Sequence, residues 1–164
     1  MPGEYAASTN VSTDRSFSEI KNTIRRFGAS GFGYIEQGLI VGIAFEVNGL
    51  QVRMTMTLPD RKLFEVSPTG RWRSEATIEK EWEQACRQRW RTLANGIKAK
   101  LAMVDDGIST VEREFLANIV LPDGDTVADR IVPEIREIVR SGTIPSMMPG
   151  IPAPARIIAL GNGS

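Results

Sequence analysis

The stretch LIVGIAFEVNGLQVRMTMTL, residues 39–58, decides the fold. At its centre, Asn48-Gly49 is a preferred two-residue turn, because both residues accept the positive φ angles of a type I′ hairpin. Counting outward from that turn pairs Val47 with Leu50, Phe45 with Val52, Ile43 with Met54, Val41 with Met56, and Leu39 with Leu58. Every one of those positions is apolar. The alternate positions pair Glu46 with Gln51, Ala44 with Arg53, Gly42 with Thr55, and Ile40 with Thr57. One register explains both faces, and a slip of one residue would turn the apolar set toward water.

Upstream, Gln37-Gly38 reads as a second tight turn. It would set Tyr34 opposite Val41 and Phe32 opposite Ile43, again on the apolar face. Residues 32–58 are therefore expected to form a three-stranded antiparallel meander. Before it, Ser16 and Glu19 have the spacing of a capping box, in which each side chain satisfies a backbone N–H of a first helical turn. Phe17, Ile20, Ile24 and Phe27 follow on one helical face, and Gly28 is a natural stop. Residues 1–14 read as a lead-in strand or loop.

After a loop from Pro59 to Arg73, a long helix is expected from about Glu75 to Val104. Ile78, Trp82, Cys86, Trp90, Leu93, Ile97, Leu101 and Val104 recur every three or four residues. Some 30 residues at about 1.5 Å each make roughly 45 Å, more than strands of about 20 Å need. The far end must pack on later helices or a second subunit, so a homo-oligomer is expected. Gly96 suggests a bend or a close approach. Ser109 and Glu112 form a second capping box, with Val111, Phe115 and Ile119 on the face that follows. A last helix is expected from Thr126 to Arg140, broken at Pro133. From Gly142 onward, prolines 145, 149, 152 and 154 mark a tail. The fold class is thus α+β: one domain over residues 1–141, with an N-terminal helix, the meander, the long helix and two or three C-terminal helices, then a tail over 142–164.

Composition narrows the chemistry. Histidine is absent, which excludes imidazole triads, imidazole proton shuttles and His-ligated metals. Cys86 is the only cysteine, so no internal disulfide can form and a reducing compartment is expected. No stretch has the apolar length of a membrane span, and the N-terminus does not read as a secretory signal. A cytoplasmic protein without membrane contact is expected. Asp105-Asp106 ends a helix. Asp123, Asp125 and Asp129 sit in a turn and a helix start, where Asp is favoured, and they lack calcium-loop spacing. Gly28, Gly31 and Gly33 lie between a helix and a strand, the reverse of the order in a phosphate-binding loop. Neither catalytic residues, nor a metal site, nor a cofactor is expected, and the chain is read as non-enzymatic.

Charge gives the positive lead. Residues 1–103 hold 15 Lys/Arg against 11 Asp/Glu, and residues 104–164 hold 5 against 9. Arg-Trp-Arg occurs at 71–73 and again at 89–91. Cations attract phosphates, and an exposed aromatic stacks on bases. Arg87, Arg91, Asn95 and Lys98 share one face of the long helix, and Arg53 stands with Gln51, Thr55 and Thr57 on the outer sheet face. The expected nucleic-acid contacts are Arg53, Arg71, Trp72, Arg73, Arg87, Arg91 and Lys98, with Trp72 as the stacking residue. The alternative is a protein-binding module acting on a host factor through Glu112, Asp123 and Asp125 or through the apolar tail. A weaker third reading is a small anionic nucleotide bound between subunits.

Several segments together resemble a family of uncharacterised proteins of tailed bacteriophages and prophages. They are Tyr5-Ala-Ala-Ser-Thr-Asn-Val-Ser12, Arg15-Ser16 with Glu19-Ile20, Arg26-Phe27-Gly28-Ala29, Gln88-Arg-Trp-Arg91, Ile97-Lys-Ala-Lys-Leu101, Glu114-Phe-Leu-Ala117 and Ile119-Val-Leu-Pro-Asp-Gly124. They span most of residues 5–140. The resemblance implies a viral protein working in a bacterial cytoplasm, in DNA metabolism or against a host defence protein.

Overall fold

Backbone pairing follows the Asn48-Gly49 turn as the sequence requires. Both residues have positive φ, and the second and third strands pair from Val47↔Leu50 to Ile40↔Thr57 without a slip. The structure, a computed structural model, describes residues 4–142, with side chains from residue 15. In chain order the elements are α1 (Glu4–Arg26), β1 (Gly31–Gln37), β2 (Ile40–Val47), β3 (Leu50–Thr57), α2 (Glu75–Asp105), α3 (Val111–Glu114) and α4 (Val127–Ser141). The fold is α+β, and the sheet order is β1-β2-β3. The chain divides into two units, Met1–Ala128 and Asp129–Ser164. The expected Pro/Gly-rich tail lies outside the described residues, apart from Gly142 at its start.

The first unit is a sheet with helices on one face. Val41, Ile43, Phe45, Val47 and Val52 point inward and are buried. They meet Ile20 and Ile24 of α1 and Trp82, Cys86, Trp90, Ala94, Ile97 and Leu101 of α2. Phe17 packs edge-on against Phe32, Tyr34 and Trp90, at centroid distances of 5.2, 5.6 and 6.3 Å. Such aromatic pairs add about 0.5–1.5 kcal/mol each beyond area burial. Phe17 meets Trp90, Glu19 meets Lys98, and Phe27 lies by Leu101 and Asp105, so α1 and α2 run in the same direction. The far end of α2 is covered within the chain by Val111 and Phe115, both buried. Gly42 is required where it stands: a Cβ there would lie 2.2 Å from the Met54 carbonyl oxygen.

Five expectations need correction. The first helix begins at Glu4, so Ser16 lies inside it and caps nothing. Once the apolar face from Phe17 to Ile24 holds a helix, extending it backward costs far less than nucleating it. The first hairpin turns at Gly38-Leu39, not Gln37-Gly38. Gly38 takes positive φ at the first central position, and Tyr34 faces Ile43 while Phe32 faces Phe45. The shift is two residues, so the apolar face is kept. Thr110, not Ser109, caps α3, because the end of α2 takes up the intervening chain. There the N–H groups of Ile108 and Ser109 both donate to the Met103 carbonyl. Ile119 does not extend that helix; it forms a strand bridge with Val52. Finally, α4 continues through Pro133 without a break. Gly96 has nothing within 4 Å of its missing Cβ, so a close approach does not explain it.

Candidate binding surface

The expected cation surface separates into three places. Arg53 is on the sheet face turned away from the helices, where its guanidinium donates to the Gly124 carbonyl at 2.7 Å. Arg87 and Arg91 are on α2, and Lys98 is further along it, bonded to Glu19 of α1. Arg71, Trp72 and Arg73 belong to the loop before α2. Four of the six cations are engaged inside the molecule. Arg73 lies 2.6 Å from Glu81 and also donates to the Phe64 carbonyl at 3.2 Å, Arg87 lies 3.5 Å from Glu83, and Arg53 and Lys98 are held as above. Arg71 and Arg91 are exposed and make no ion pair among the described residues. The Lys98 ammonium holds the Glu19 carboxyl below its usual range, first by a hydrogen bond and then by charge.

Trp82 and Trp90 are core residues, and the Trp82 indole N–H donates to the buried Pro59 carbonyl at 2.9 Å. Cys86 is buried, and that burial pushes its thiol up to about 11, so it is not a reactive nucleophile at neutral pH. Among the described residues no group of three or more His, Cys, Asp or Glu could hold a metal. No described helix is long and apolar enough to cross a membrane. A depression of about 530 Å³ lies between Thr23, Arg26, Phe27, Lys98, Leu101 and Asp105. Its charges are mixed: Arg26 is a cation at its wall, Lys98 is already paired with Glu19, Asp105 adds negative charge, and the carboxyl-terminal ends of α1 and α2 carry the negative pole of their dipoles.

The loop before α2 is different in kind. Trp72 is 77% exposed, Leu63 73% and Val66 41%. Val66 and Trp72 are bridge partners across a short hairpin, so their side chains stand side by side. The hairpin is closed by Ser67 N–H to the Arg71 carbonyl at 2.8 Å and Arg73 N–H to the Glu65 carbonyl at 2.9 Å. The Ser67 hydroxyl accepts from the Arg71 N–H at 3.0 Å. Below the hairpin, Asp60 caps a 3₁₀ turn over Arg61–Phe64. Arg61 is clamped between Glu75 and Glu79 at 2.5 and 3.1 Å. Phe64 packs on the core, and Arg73 ties its carbonyl to α2. The loop that carries Trp72 is braced at Pro59, Arg61, Phe64 and Arg73.

Sequence reading found Trp72 in this loop but missed Leu63 and Val66. The signal was present in the symmetry of Val66 and Trp72 about the Pro68–Gly70 turn. It was also missed that acids of α2 offset the loop's cations. From Asp60 to Ser74 the chain holds four bases and two acids, and Glu75, Glu79 and Glu81 of α2 pair with Arg61 and Arg73. Comparison with protein-family models, curated proteins and solved structures finds no match.

Proposed function

We propose that this chain is a non-enzymatic protein-binding module whose anchor is Trp72. The observation that carries the reading is a large apolar side chain held out of the body by a rigid, hydrogen-bonded hairpin. Free-energy hot spots at protein interfaces are enriched in tryptophan, and a pre-ordered loop loses little entropy on binding. Val66, the bridge partner of Trp72, extends the apolar centre, and Leu63, Lys62 and Arg71 are exposed in the same loop. The pairing of Arg61 and Arg73 with acids of α2 lowers the positive charge the loop presents and favours a protein partner over a polyanion. The bacteriophage resemblance makes a host protein of the bacterial cytoplasm the natural partner.

A second reading is kept because of one observation. Arg71, which makes no ion pair among the described residues, directly precedes the exposed Trp72 in the chain, and single-stranded nucleic acid is held by cations on its phosphates and aromatics on its bases. Arg91 would add a second phosphate contact. One experiment separates the two. The tagged chain is incubated with bacterial extract, with and without nuclease, beside Trp72→Ala and an Arg71→Glu/Arg91→Glu variant. Protein binding is expected to survive nuclease and the charge reversal and to be lost with Trp72→Ala. Retention abolished by nuclease or by charge reversal would replace the protein reading with the nucleic-acid one.

A further inference from the structure

The two edges of the sheet are treated differently by the chain. The edge at β3 is covered: Val120 N–H donates to the Gln51 carbonyl at 2.8 Å, and Ile119 bridges Val52. The segment then turns back, with Val120 bridging Thr126. At β1 no described residue takes the outer edge. One guard against edge-to-edge pairing is present, the charge of Glu36, which shares the inward face with Phe32 and Tyr34. Other guards are absent: Gly31–Gln37 contains no proline and no lysine, and its register with β2 runs one to one without a bulge.

Hydrogen-bond phase shows which groups are open. Leu58 N–H donates to the Leu39 carbonyl, so Leu39, Val41, Ile43, Phe45 and Val47 bond toward β3. The alternate residues of β2 therefore bond toward β1, and they face Gly31, Gly33, Ile35 and Gln37. The N–H and C=O groups of Phe32, Tyr34 and Glu36 consequently point away from the sheet. These three residues are symmetric about Tyr34. A second copy turned by a two-fold axis through Tyr34 sets Phe32 against Glu36, Tyr34 against its counterpart and Gly33 against Ile35, and satisfies all the open groups. The only charge on the strand, Glu36, then meets an aromatic ring. The two Glu36 carboxylates stand about 13 Å apart along the strands. Phe17 of α1 and Trp90 of α2 touch β1 through the inward-pointing rings of Phe32 and Tyr34.

We propose that the chain forms a two-fold dimer by antiparallel β1–β1 pairing centred on Tyr34, which joins two three-stranded sheets into one of six strands. Such an interface is self-complementary, as two-fold symmetry requires. The test is sedimentation of the full chain from low micromolar to several hundred micromolar, beside Glu36→Pro. Glu36 N–H points away from β2 and has no partner among the described residues, and proline is tolerated at that kind of edge position. The expected result is a concentration-dependent dimer whose dissociation constant rises at least about tenfold in Glu36→Pro, with an unchanged circular dichroism spectrum. A second measurement does not depend on the proline variant folding. Chains carrying Gly33→Cys are mixed with chains carrying Ile35→Cys and oxidised. Because Cys86 is buried, a disulfide-linked dimer that needs both variants reports the register. A wild-type chain that stays monomeric throughout, a dimer indifferent to Glu36→Pro, or a mixture that crosslinks no better than either variant alone overturns the proposal.

Discussion

Replacing Trp72 by alanine should cost the fold little, and that expectation can be worked from the structure. Trp72 keeps 77% of its surface in solvent. A tryptophan can bury about 250 Å², so under a quarter of that is covered here, and at about 25 cal/mol per Å² the loss is at most about 1.4 kcal/mol. The hairpin beneath it is closed by backbone and Ser67 bonds that alanine leaves intact. Trp90 is the control, being 2% exposed and ringed by Phe17 and Tyr34. Its replacement by alanine should cost about 3–5 kcal/mol, the usual range for a buried aromatic. Urea unfolding followed by far-ultraviolet circular dichroism reads both. At about 4 °C per kcal/mol, melting should fall by a few degrees for Trp72→Ala and by well over ten for Trp90→Ala. Fluorescence gives a second view, since the emission removed by Trp72→Ala should be red-shifted and readily quenched by acrylamide. A cost for Trp72→Ala near that of Trp90→Ala, or a blue, quencher-resistant contribution, would show that Trp72 is packed at home and cannot serve as a free anchor.

Other substitutions test the parts around it. Arg61→Ala or Arg73→Ala should leave the core intact but loosen the hairpin, seen as faster amide exchange confined to residues 61–73. Gly42→Ala should destabilise the sheet by several kcal/mol, because the added Cβ meets the Met54 carbonyl at 2.2 Å; a loss below about 1 kcal/mol, the ordinary mutational effect, would contradict the close approach. The Cys86 thiol should resist an aromatic disulfide reagent at pH 8 in the native protein and react at once in denaturant. Lys98→Met should return Glu19 to the ordinary carboxyl range in an NMR titration. Because the folded carboxyl is depressed, its contribution to stability is present above the unfolded value and fades as pH falls through the folded one.

What the sequence made legible follows from where one signal dominated. The β2–β3 register and the buried stripe of α2 could be read because turn chemistry and apolar period agreed over many residues. The β1–β2 turn was misplaced because both Gln37-Gly38 and Gly38-Leu39 put glycine in a turn and both keep Tyr34 and Phe32 inward. The start of α1 was hidden because Ser16 and Glu19 fit a cap so well, though a cap works only where the chain before it is not already helical. For the candidate surface, spacing on a helix brought Arg87, Arg91 and Lys98 to one side but said nothing of Glu83 and Glu19, which occupy two of them. Pairing across 79 residues, as between Lys98 and Glu19, has no periodic signature. Trp72 was legible as exposed because it stood in a loop between turn residues. Its bracing by Arg61 and Arg73 depends on acids of the following helix and needed the fold.

A photoreactive benzophenone residue placed at position 72, compared with one at position 91, examines the anchor where it acts. Irradiated in bacterial extract, the chain labelled at 72 is expected to yield a discrete protein adduct that resists nuclease, with none from position 91. Equal labelling from both positions, or an adduct at 72 that nuclease removes, would contradict a protein partner seated on the braced hairpin.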